Sequence, residues 1–231
     1  MKKKRKRKSS MGLLLILLGL LLIAGAGAYT FRNMQESEEA GVKAADVLMK
    51  LDVITQDREL VMAQETLPVI EQGKWEEEAV TPVVQPPAEM PEEEIDGYNY
   101  IGIIEIPSLS IQLPVMSEWD YDRLRISPCR YTGSYLQDNM IVCGHNYNRH
   151  FGPIRWIGIG ADVYFISVDK TVYHYVVDNV ELISGTNVEQ MVGRQTSDPT
   201  TSYYSTWDLT LFTCDASAQN RYAIRCLRVH E

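Results

Sequence analysis

The sequence predicts an all-β domain in the C-terminal part of the chain, preceded by a transmembrane helix and an acidic stalk. Three observations support this organisation. An uncharged, Leu-rich segment lies near the N-terminus, and an acidic, proline-rich stretch follows it. The remainder consists of short β-branched and aromatic runs separated by turn residues. With 231 residues, 45% of them hydrophobic, the chain is long enough for one core of ordinary size.

The N-terminal region has the charge pattern of a membrane anchor. Lys2 to Lys8 carry seven positive charges, and the eighteen residues from Met11 to Ala28 carry none. At 1.5 Å per residue, such a helix crosses most of a hydrocarbon core of about 30 Å. We predict a cytoplasmic basic segment at residues 1–10 and a transmembrane anchor at residues 11–29, with all that follows outside the cell. A cleaved signal peptide is the alternative, because residues 24–28 alternate Ala and Gly.

Residues 30–96 form the predicted extracellular stalk and linker. From Arg32 to Asp96 there are seventeen acidic and five basic residues. The apolar residues of Gln35 to Met62 recur at partly helical spacing, which predicts an amphipathic helix. We interpret it as a solvated stalk helix without a partner, with docking as the alternative. The Glu- and Pro-rich stretch after it cannot bury a core and is predicted to be an extended linker. Nucleic-acid binding is disfavoured because only the extreme N-terminus is strongly basic.

The pattern after residue 97 is typical of a β-barrel or sandwich. A tight turn is predicted at 168–171, and short helical turns are predicted at 119–125 and 188–192. The predicted strands are Tyr100 to Ile106, Ile111 to Met116, Asn139 to Gly144, Asp162 to Val168, Thr171 to Ile183, Asp208 to Cys214 and Arg221 to Val229.

Three residues at predicted strand ends suggest nucleophilic catalysis. Cys214 ends its strand, His145 follows the apolar run 140–142, and Arg221 begins the last strand. A thiol attacks as the thiolate, which needs a base or a cationic neighbour, and the resulting oxyanion needs donors such as Arg. Strand alternation places Leu209, Leu211 and Thr213 on the face that fills the interior, so Cys214 points outward.

The order of these residues resembles that of the sortases. Papain-like peptidases place the Cys before the His, whereas His145 precedes Cys214 here. The matching residues are Leu209 to Cys214, Arg221, Gly144-His145 and the opening strand Ile101 to Pro107. The resemblance implies a closed β-barrel of about eight strands over residues 97–231 and a membrane-anchored cysteine transpeptidase. It implies His145, Cys214 and Arg221 as the catalytic residues.

The resemblance also implies the substrates and partners. Cys214 would attack the Thr-Gly bond of a Leu-Pro-x-Thr-Gly-like sorting signal, and an amine of a peptidoglycan precursor or of a pilin would resolve the thioester. No cofactor and no metal are expected. The expected location is the membrane of a Gram-positive type envelope, with the barrel outside. The chain is most similar to anchoring-type sortases, class D or B, because it shows neither a lid motif with Asp-Pro-Trp nor a second membrane segment.

Four residues are candidates for substrate binding. The connection from Gly185 to Thr206 corresponds to the loop that walls the signal groove in sortases. Tyr203, Tyr204 and Trp207 offer aromatic surface there, although ordinary packing explains them equally well. Thr213, next to Cys214, is the fourth candidate.

Alternatives remain for the other cysteines and for the activity. We interpret Cys129, Cys143 and Cys226 as buried free thiols, with a disulfide among them as the alternative. A zinc site is disfavoured by the lack of a Cys-x-x-Cys pair. The alternatives to a transpeptidase are an exported cysteine peptidase or amidase that hydrolyses its substrate, and a non-catalytic binding barrel.

Overall fold

The computed structural model describes residues 5–65, 89–192 and 207–230, with the side chains of the first range described from residue 11 to residue 52. Three α-helices are described: α1 (Arg5–Glu65), α2 (Tyr121–Leu124) and α3 (Val188–Val192). Two 3₁₀ helices span Pro107–Leu109 and Gly152–Trp156. The strands are β1 (Glu93–Ile95), β2 (Tyr98–Ile106), β3 (Ile111–Met116), β4 (Cys129–Thr132), β5 (Met140–Cys143), β6 (Asp162–Ser167), β7 (Val172–Ser184), β8 (Leu209–Cys214) and β9 (Asn220–Arg228).

The strands form a closed barrel, as predicted. Their order in the sheet is β1-β2-β3-β4-β5-β8-β9-β7-β6, and β2 also pairs with β6. That last pairing closes β2 to β9 into a barrel of eight strands, while β1 extends the start of β2. The β3–β4 and β5–β8 pairs are parallel, and the other pairs are antiparallel. Closure leaves no long exposed strand edge among the described strands of the barrel.

Strand alternation separates an interior core from an outer apolar layer. In β8, Leu209 and Leu211 are fully buried in the barrel core, whereas Phe212 belongs to a second cluster with Ile141 and Cys143. Successive side chains of a strand point to opposite faces, so Cys214 lies on the outer face with Phe212. The predicted outward direction of the Cys214 side chain is confirmed, and this side chain is partly exposed.

All seven predicted strands are present, and two observed strands, β1 and β4, were not predicted. The turn predicted at 168–171 joins β6 to β7, with Lys170 in the left-handed region at φ 64°. Strand β4 escaped prediction because its four residues, Cys-Arg-Tyr-Thr, are too short a run for the alternation of apolar and polar residues to give a clear signal. Strand β1 escaped it because three acidic-rich residues at the end of the linker carry no strand signal.

Helix α1 runs without interruption from the apolar N-terminal segment into the predicted stalk. Its apolar part is exposed in the protein and is long and apolar enough to cross a membrane. Farther along, Ala40, Ala44, Val47 and Leu51 recur on one face and are buried.

The interpretation of this part of the stalk as a solvated helix without a partner is therefore wrong. Ala44 packs with the barrel core, and Val47 and Leu51 pack with Tyr100 and Met116 in the outer cluster. Lys50 Nζ also contacts Asp96 Oδ2 at 2.6 Å. The small residues 40 and 44 allow the helix to approach the barrel closely.

Candidate active site

Hydrogen bonds between the ends of β5 and β8 bring His145 and Cys214 together. In the parallel β5–β8 ladder Cys143 lies beside Phe212, and Gly144 N donates to Phe212 O at 3.0 Å. Beyond the ladder, Thr213 Oγ1 donates to Gly144 O at 2.9 Å and Asn146 Nδ2 donates to Asp215 O at 3.3 Å. These two bonds flank His145 on one segment and Cys214 on the other. The two residues therefore lie side by side on the outer face.

Gly144 makes room for the chain to turn after His145. A Cβ at this position would lie 2.5 Å from the Phe151 ring, so a larger residue would displace that ring. Phe151 is fully buried in the barrel core, and its N–H donates to His145 O at 3.1 Å. The loop that follows His145 is thus anchored to the core by Phe151. This packing explains the Gly-His pair in the sequence.

Arg221 lies opposite Cys214 in the antiparallel β8–β9 pair. Directly opposed residues of such a pair share one face of the sheet. Arg221 Nη1 donates to Ala218 O and to Asn220 O, both at 3.0 Å. A guanidinium group carries five N–H donors, and these two bonds use only one of its nitrogens. Strand pairing thus places a cation beside the sulfur.

The electrostatics of the site favour a neutral resting pair. Burial raises the pKa of the Cys214 thiol, Arg221 lowers it and Asp215 raises it. Burial lowers the pKa of His145. The hydrogen bond with the Asn146 side chain and the Glu36 carboxylate oppose that effect, and Arg125 adds to it. At neutral pH the thiol is mostly protonated and the imidazole is mostly neutral.

Comparison with known proteins identifies the family. The model of the sortase domain matches residues 104–229, which is more than half of the chain and includes all three candidate residues. The chain belongs to the sortase family. Sortases are cysteine transpeptidases, and the barrel described above is a sortase fold.

Several solved sortase structures are similar to this sortase. They include Clostridium perfringens sortase C with the C-terminal cell wall sorting motif, at 21% identity over 57% of this chain and 71% of that chain, with a TM-score of 0.46. Streptococcus pneumoniae sortase C is 18% identical over 57% of this chain and 70% of that chain, with a TM-score of 0.48. The Clostridium perfringens sortase D5 transpeptidase is 15% identical over 60% of this chain and 83% of that chain, with a TM-score of 0.48. No curated protein sequence matches this sortase.

Two of the residues expected to bind substrate make other contacts in the structure. Thr213 is buried, and its hydroxyl holds Gly144, so this side chain positions the His145 segment instead of facing a substrate. Trp207 precedes the opposite end of β8 from Cys214, where its Nε1 donates to Asp178 Oδ2 at 3.0 Å and its ring lies 4.8 Å from the Arg225 guanidinium. For Trp207 the packing alternative is the one observed. Tyr203 and Tyr204 lie outside the described residues.

Arg225 is a structural residue in this sortase. Only 1% of it is exposed, and it pairs with Glu181 Oε2 through Nε at 3.2 Å and Nη2 at 3.1 Å. It also donates to Gln190 O, Met191 O and Thr210 Oγ1. These bonds fix α3 against β7, β8 and β9, and they leave Arg221 as the arginine beside Cys214.

The remaining cysteines are free and buried. Burial raises the pKa of the Cys143 thiol to about 12, and it also raises the pKa of Cys129 and Cys226. The observed structure thus contains no bridge among the described cysteines, and Cys214 is the one thiol in the described ranges that is partly exposed.

Sequence reasoning missed Tyr147 and Glu36. The ring of Tyr147 stacks on His145 with centroids 3.7 Å apart and planes at 16°, and its hydroxyl donates to Glu36 Oε2 at 3.0 Å. Tyr147 is two residues from His145, but a Tyr in a loop carries no signal of its own. Glu36 is 111 positions away from Tyr147, so only the fold reveals their contact.

Alkylation of Cys214 by iodoacetamide should report the raised pKa of its thiol. Because the thiolate is the reacting species, the rate should still be rising above pH 8.5, the usual pKa of a free thiol being about 8.5. Replacing Arg221 by Met removes the cation that lowers this pKa, so the rate curve should move to higher pH. Cys214→Ala, which leaves the three buried thiols, is the control. A plateau reached below pH 7 would contradict the neutral resting pair.

Proposed function

We propose that this sortase cleaves a Leu-Pro-x-Thr-Gly-like C-terminal sorting signal through a thioester on Cys214 and transfers the acyl group to an amine. The observation that carries the proposal is the placement of Cys214 between His145 and Arg221 at the ends of β8, β5 and β9. A nucleophile, a proton donor and an oxyanion donor are the three groups that acyl transfer needs.

In the first half of the reaction His145 takes the proton of the Cys214 thiol. The resulting thiolate attacks the carbonyl carbon of the Thr-Gly bond, and a carbon–sulfur bond forms. The Arg221 guanidinium stabilises the negative charge that develops on the carbonyl oxygen. The His145 imidazolium then donates its proton to the amine of Gly, and the carbon–nitrogen bond breaks. The tail leaves as a free amine, and the rest of the signal remains on sulfur as a thioester.

In the second half, an incoming amine attacks the thioester carbonyl. Neutral His145 accepts the proton that this amine loses, a new amide bond forms, and the sulfur leaves as the thiolate. The imidazolium then returns its proton to the sulfur, which restores the neutral pair. The amine is that of a peptidoglycan precursor or of a pilin lysine.

A row of aromatic side chains leads along the outer face to the sulfur. Phe212 shares the face of Cys214. The ring centroids of Phe212 and Tyr131 are 5.4 Å apart, and those of Tyr131 and Trp119 are 5.2 Å apart. Tyr121, 6.1 Å from Trp119, is 78% exposed. An apolar row of this kind suits the aliphatic side chain of a peptide. It supports an extended peptide as the substrate.

We also propose that the apolar part of α1 anchors this sortase in the membrane, with residues 1–10 in the cytoplasm, residues 11–29 in the bilayer, and residues 30–96 and the barrel of residues 97–231 outside. The exposed Leu-rich surface of α1 and the basic residues before it support this topology. A membrane-impermeant maleimide should label Cys214 in intact cells. Labelling only after lysis would contradict this topology.

Transfer to an amine distinguishes the proposed activity from its alternatives. The full chain in detergent micelles, incubated with a Leu-Pro-Glu-Thr-Gly peptide and triglycine, should give the triglycine conjugate in excess over the hydrolysed acid. Triglycine acetylated at its amine is the matched control and should give no conjugate. Hydrolysis alone at saturating amine would favour the peptidase, and the absence of both products would favour the binding barrel.

A further inference from the structure

Helix α1 contacts the loop that follows His145 directly. Tyr147 Oη donates to Glu36 Oε2 at 3.0 Å, and the same tyrosine ring stacks on the imidazole of His145. Tyr147 is 2% exposed, so its position is fixed on all sides. The carboxylate of Glu36 therefore orients the ring against which His145 lies.

Further contacts keep this loop along the helix. Arg149 N donates to Ser37 Oγ at 3.2 Å, and its guanidinium donates to both carboxylate oxygens of Glu38, at 3.1 and 3.0 Å. Gly41 permits the close approach, since a Cβ there would lie 3.0 Å from Arg149 Cβ. Backbone and side-chain contacts over less than two turns of α1, from Glu36 to Gly41, thus set the path of the loop.

The loop is enclosed between the helix and the barrel. Ala40 of α1 is buried, and His150 on the loop is fully buried. On the barrel side Phe151 is part of the core. The Nδ1 of His145 is buried without a hydrogen-bond partner among the described residues, and the Asn146 side chain interacts with the imidazole and favours its protonated form. Stacking on Tyr147 constrains the plane of the ring.

Three charged or titratable groups on the surrounding elements act on the imidazole. Glu36 on α1 favours the protonated ring, whereas Arg125 after α2 disfavours it. His150 on the loop interacts unfavourably with a protonated His145. Glu36 is therefore the anion that supports the imidazolium.

We propose that Glu36 and Tyr147 are positioning residues for His145, so that the membrane-proximal helix completes the active site. The inference rests on the proposed function, in which His145 is the proton donor. Glu36 acts through Tyr147, which holds the imidazole in the plane that faces the leaving amine.

The continuity of α1 gives this arrangement a mechanical consequence. Glu36 lies eight residues after Ala28, the last residue of the apolar segment, which is about 12 Å along a helix. The anchor and the active-site loop are thus joined by one rigid element. A shift of the docked helix would therefore change the position of the His145 imidazole.

The test uses the full chain in detergent micelles with the variants Glu36→Gln and Tyr147→Phe. Glu39→Gln is the matched control, because it removes the same charge from an exposed position on the same helix. The midpoint of His145 titration is followed by NMR of ¹³C-labelled histidine and is assigned by the signal lost in His145→Asn. Glu36→Gln should move this midpoint to lower pH, since an anion that favours the charged ring is lost, and Glu39→Gln should leave it unchanged.

Kinetics with the Leu-Pro-Glu-Thr-Gly peptide and triglycine give the second readout. Glu36→Gln should lower kcat about 10-fold with little change in KM. A decrease of this size is expected when one hydrogen bond to a charged group is lost. The acid limb of the pH profile should move with the His145 midpoint. Combining Glu36→Gln with Tyr147→Phe should cost no more than the larger single effect, because both remove one interaction.

The outcomes separate this inference from the proposed function. If His145→Asn keeps full activity, the proposed role of His145 is wrong. If His145→Asn abolishes activity while Glu36→Gln leaves the His145 midpoint and kcat at the values of the control, the positioning role is wrong and the proposed function stands. A lower melting temperature of Glu36→Gln with an unchanged midpoint also contradicts the positioning role, since it shows that Glu36 only docks the helix.

Discussion

Replacing Cys214 by Ala is expected to abolish peptide cleavage and transfer while the barrel stays folded. The proposed chemistry begins at this sulfur, so the rate should fall by at least about 10⁴-fold, the scale seen when a covalent nucleophile is removed. The side chain is partly exposed and contributes little to the core, so stability should change by less than about 1 kcal/mol. Peptide turnover measures the first effect and thermal unfolding measures the second.

Cys226→Ala is a matched control for this variant. Cys226 is fully buried and pairs with Leu209 at the far end of β8, so its loss should destabilise the core and leave the folded protein active. The burial that raises the pKa of Cys129, Cys143 and Cys226 also keeps them from acting as replacement nucleophiles. Residual turnover by Cys214→Ala near the wild-type rate would show that the nucleophile is elsewhere.

His145→Ala and Arg221→Ala are each expected to lower kcat/KM by about 10² or more. The first removes the proton donor for the leaving amine and the second removes an oxyanion donor, and losses of this size are typical of either group. Both residues lie at strand ends on the outer face, so neither change should unfold the barrel. Turnover of the Leu-Pro-Glu-Thr-Gly peptide at matched enzyme concentration gives the comparison.

Arg221→Lys distinguishes charge from geometry at the same position. A lysine keeps the cation but not the planar array of donors, so the variant should recover only part of the lost rate. Full activity of Arg221→Ala would mean that another group stabilises the oxyanion. Arg225 is not suited to that role, because Glu181, Thr210 and the α3 carbonyls already take its donors.

The sequence was sufficient for most of the barrel because its strands carry local signals. Alternating apolar residues predicted β8 and the outward direction of Cys214, and the end of the run 140–142 located His145. Closure of the barrel could not be derived in this way, since it depends on the pairing of β2 with β6, whose paired residues are 59 to 65 positions apart. The family resemblance supplied it.

The predictions that failed depended on contacts between distant parts of the chain. The stripe of Ala40, Ala44, Val47 and Leu51 predicted a helix, but no local feature shows that its partner is the barrel. Trp207 is close to Cys214 in sequence, yet an extended strand separates residues seven positions apart by about 23 Å. Glu36 was unremarkable among seventeen acidic stalk residues until the fold placed it against Tyr147.

Trapping the acyl-enzyme tests the central claim most directly. The full chain is mixed with the Leu-Pro-Glu-Thr-Gly peptide in the absence of an amine, quenched in acid, and digested for peptide mapping by mass spectrometry. We predict the Leu-Pro-Glu-Thr acyl group on Cys214 in the wild-type chain, its release by hydroxylamine, and its absence in Cys214→Ala. Cleavage of the peptide with no acyl group on Cys214, or with the group on another residue, would contradict the account.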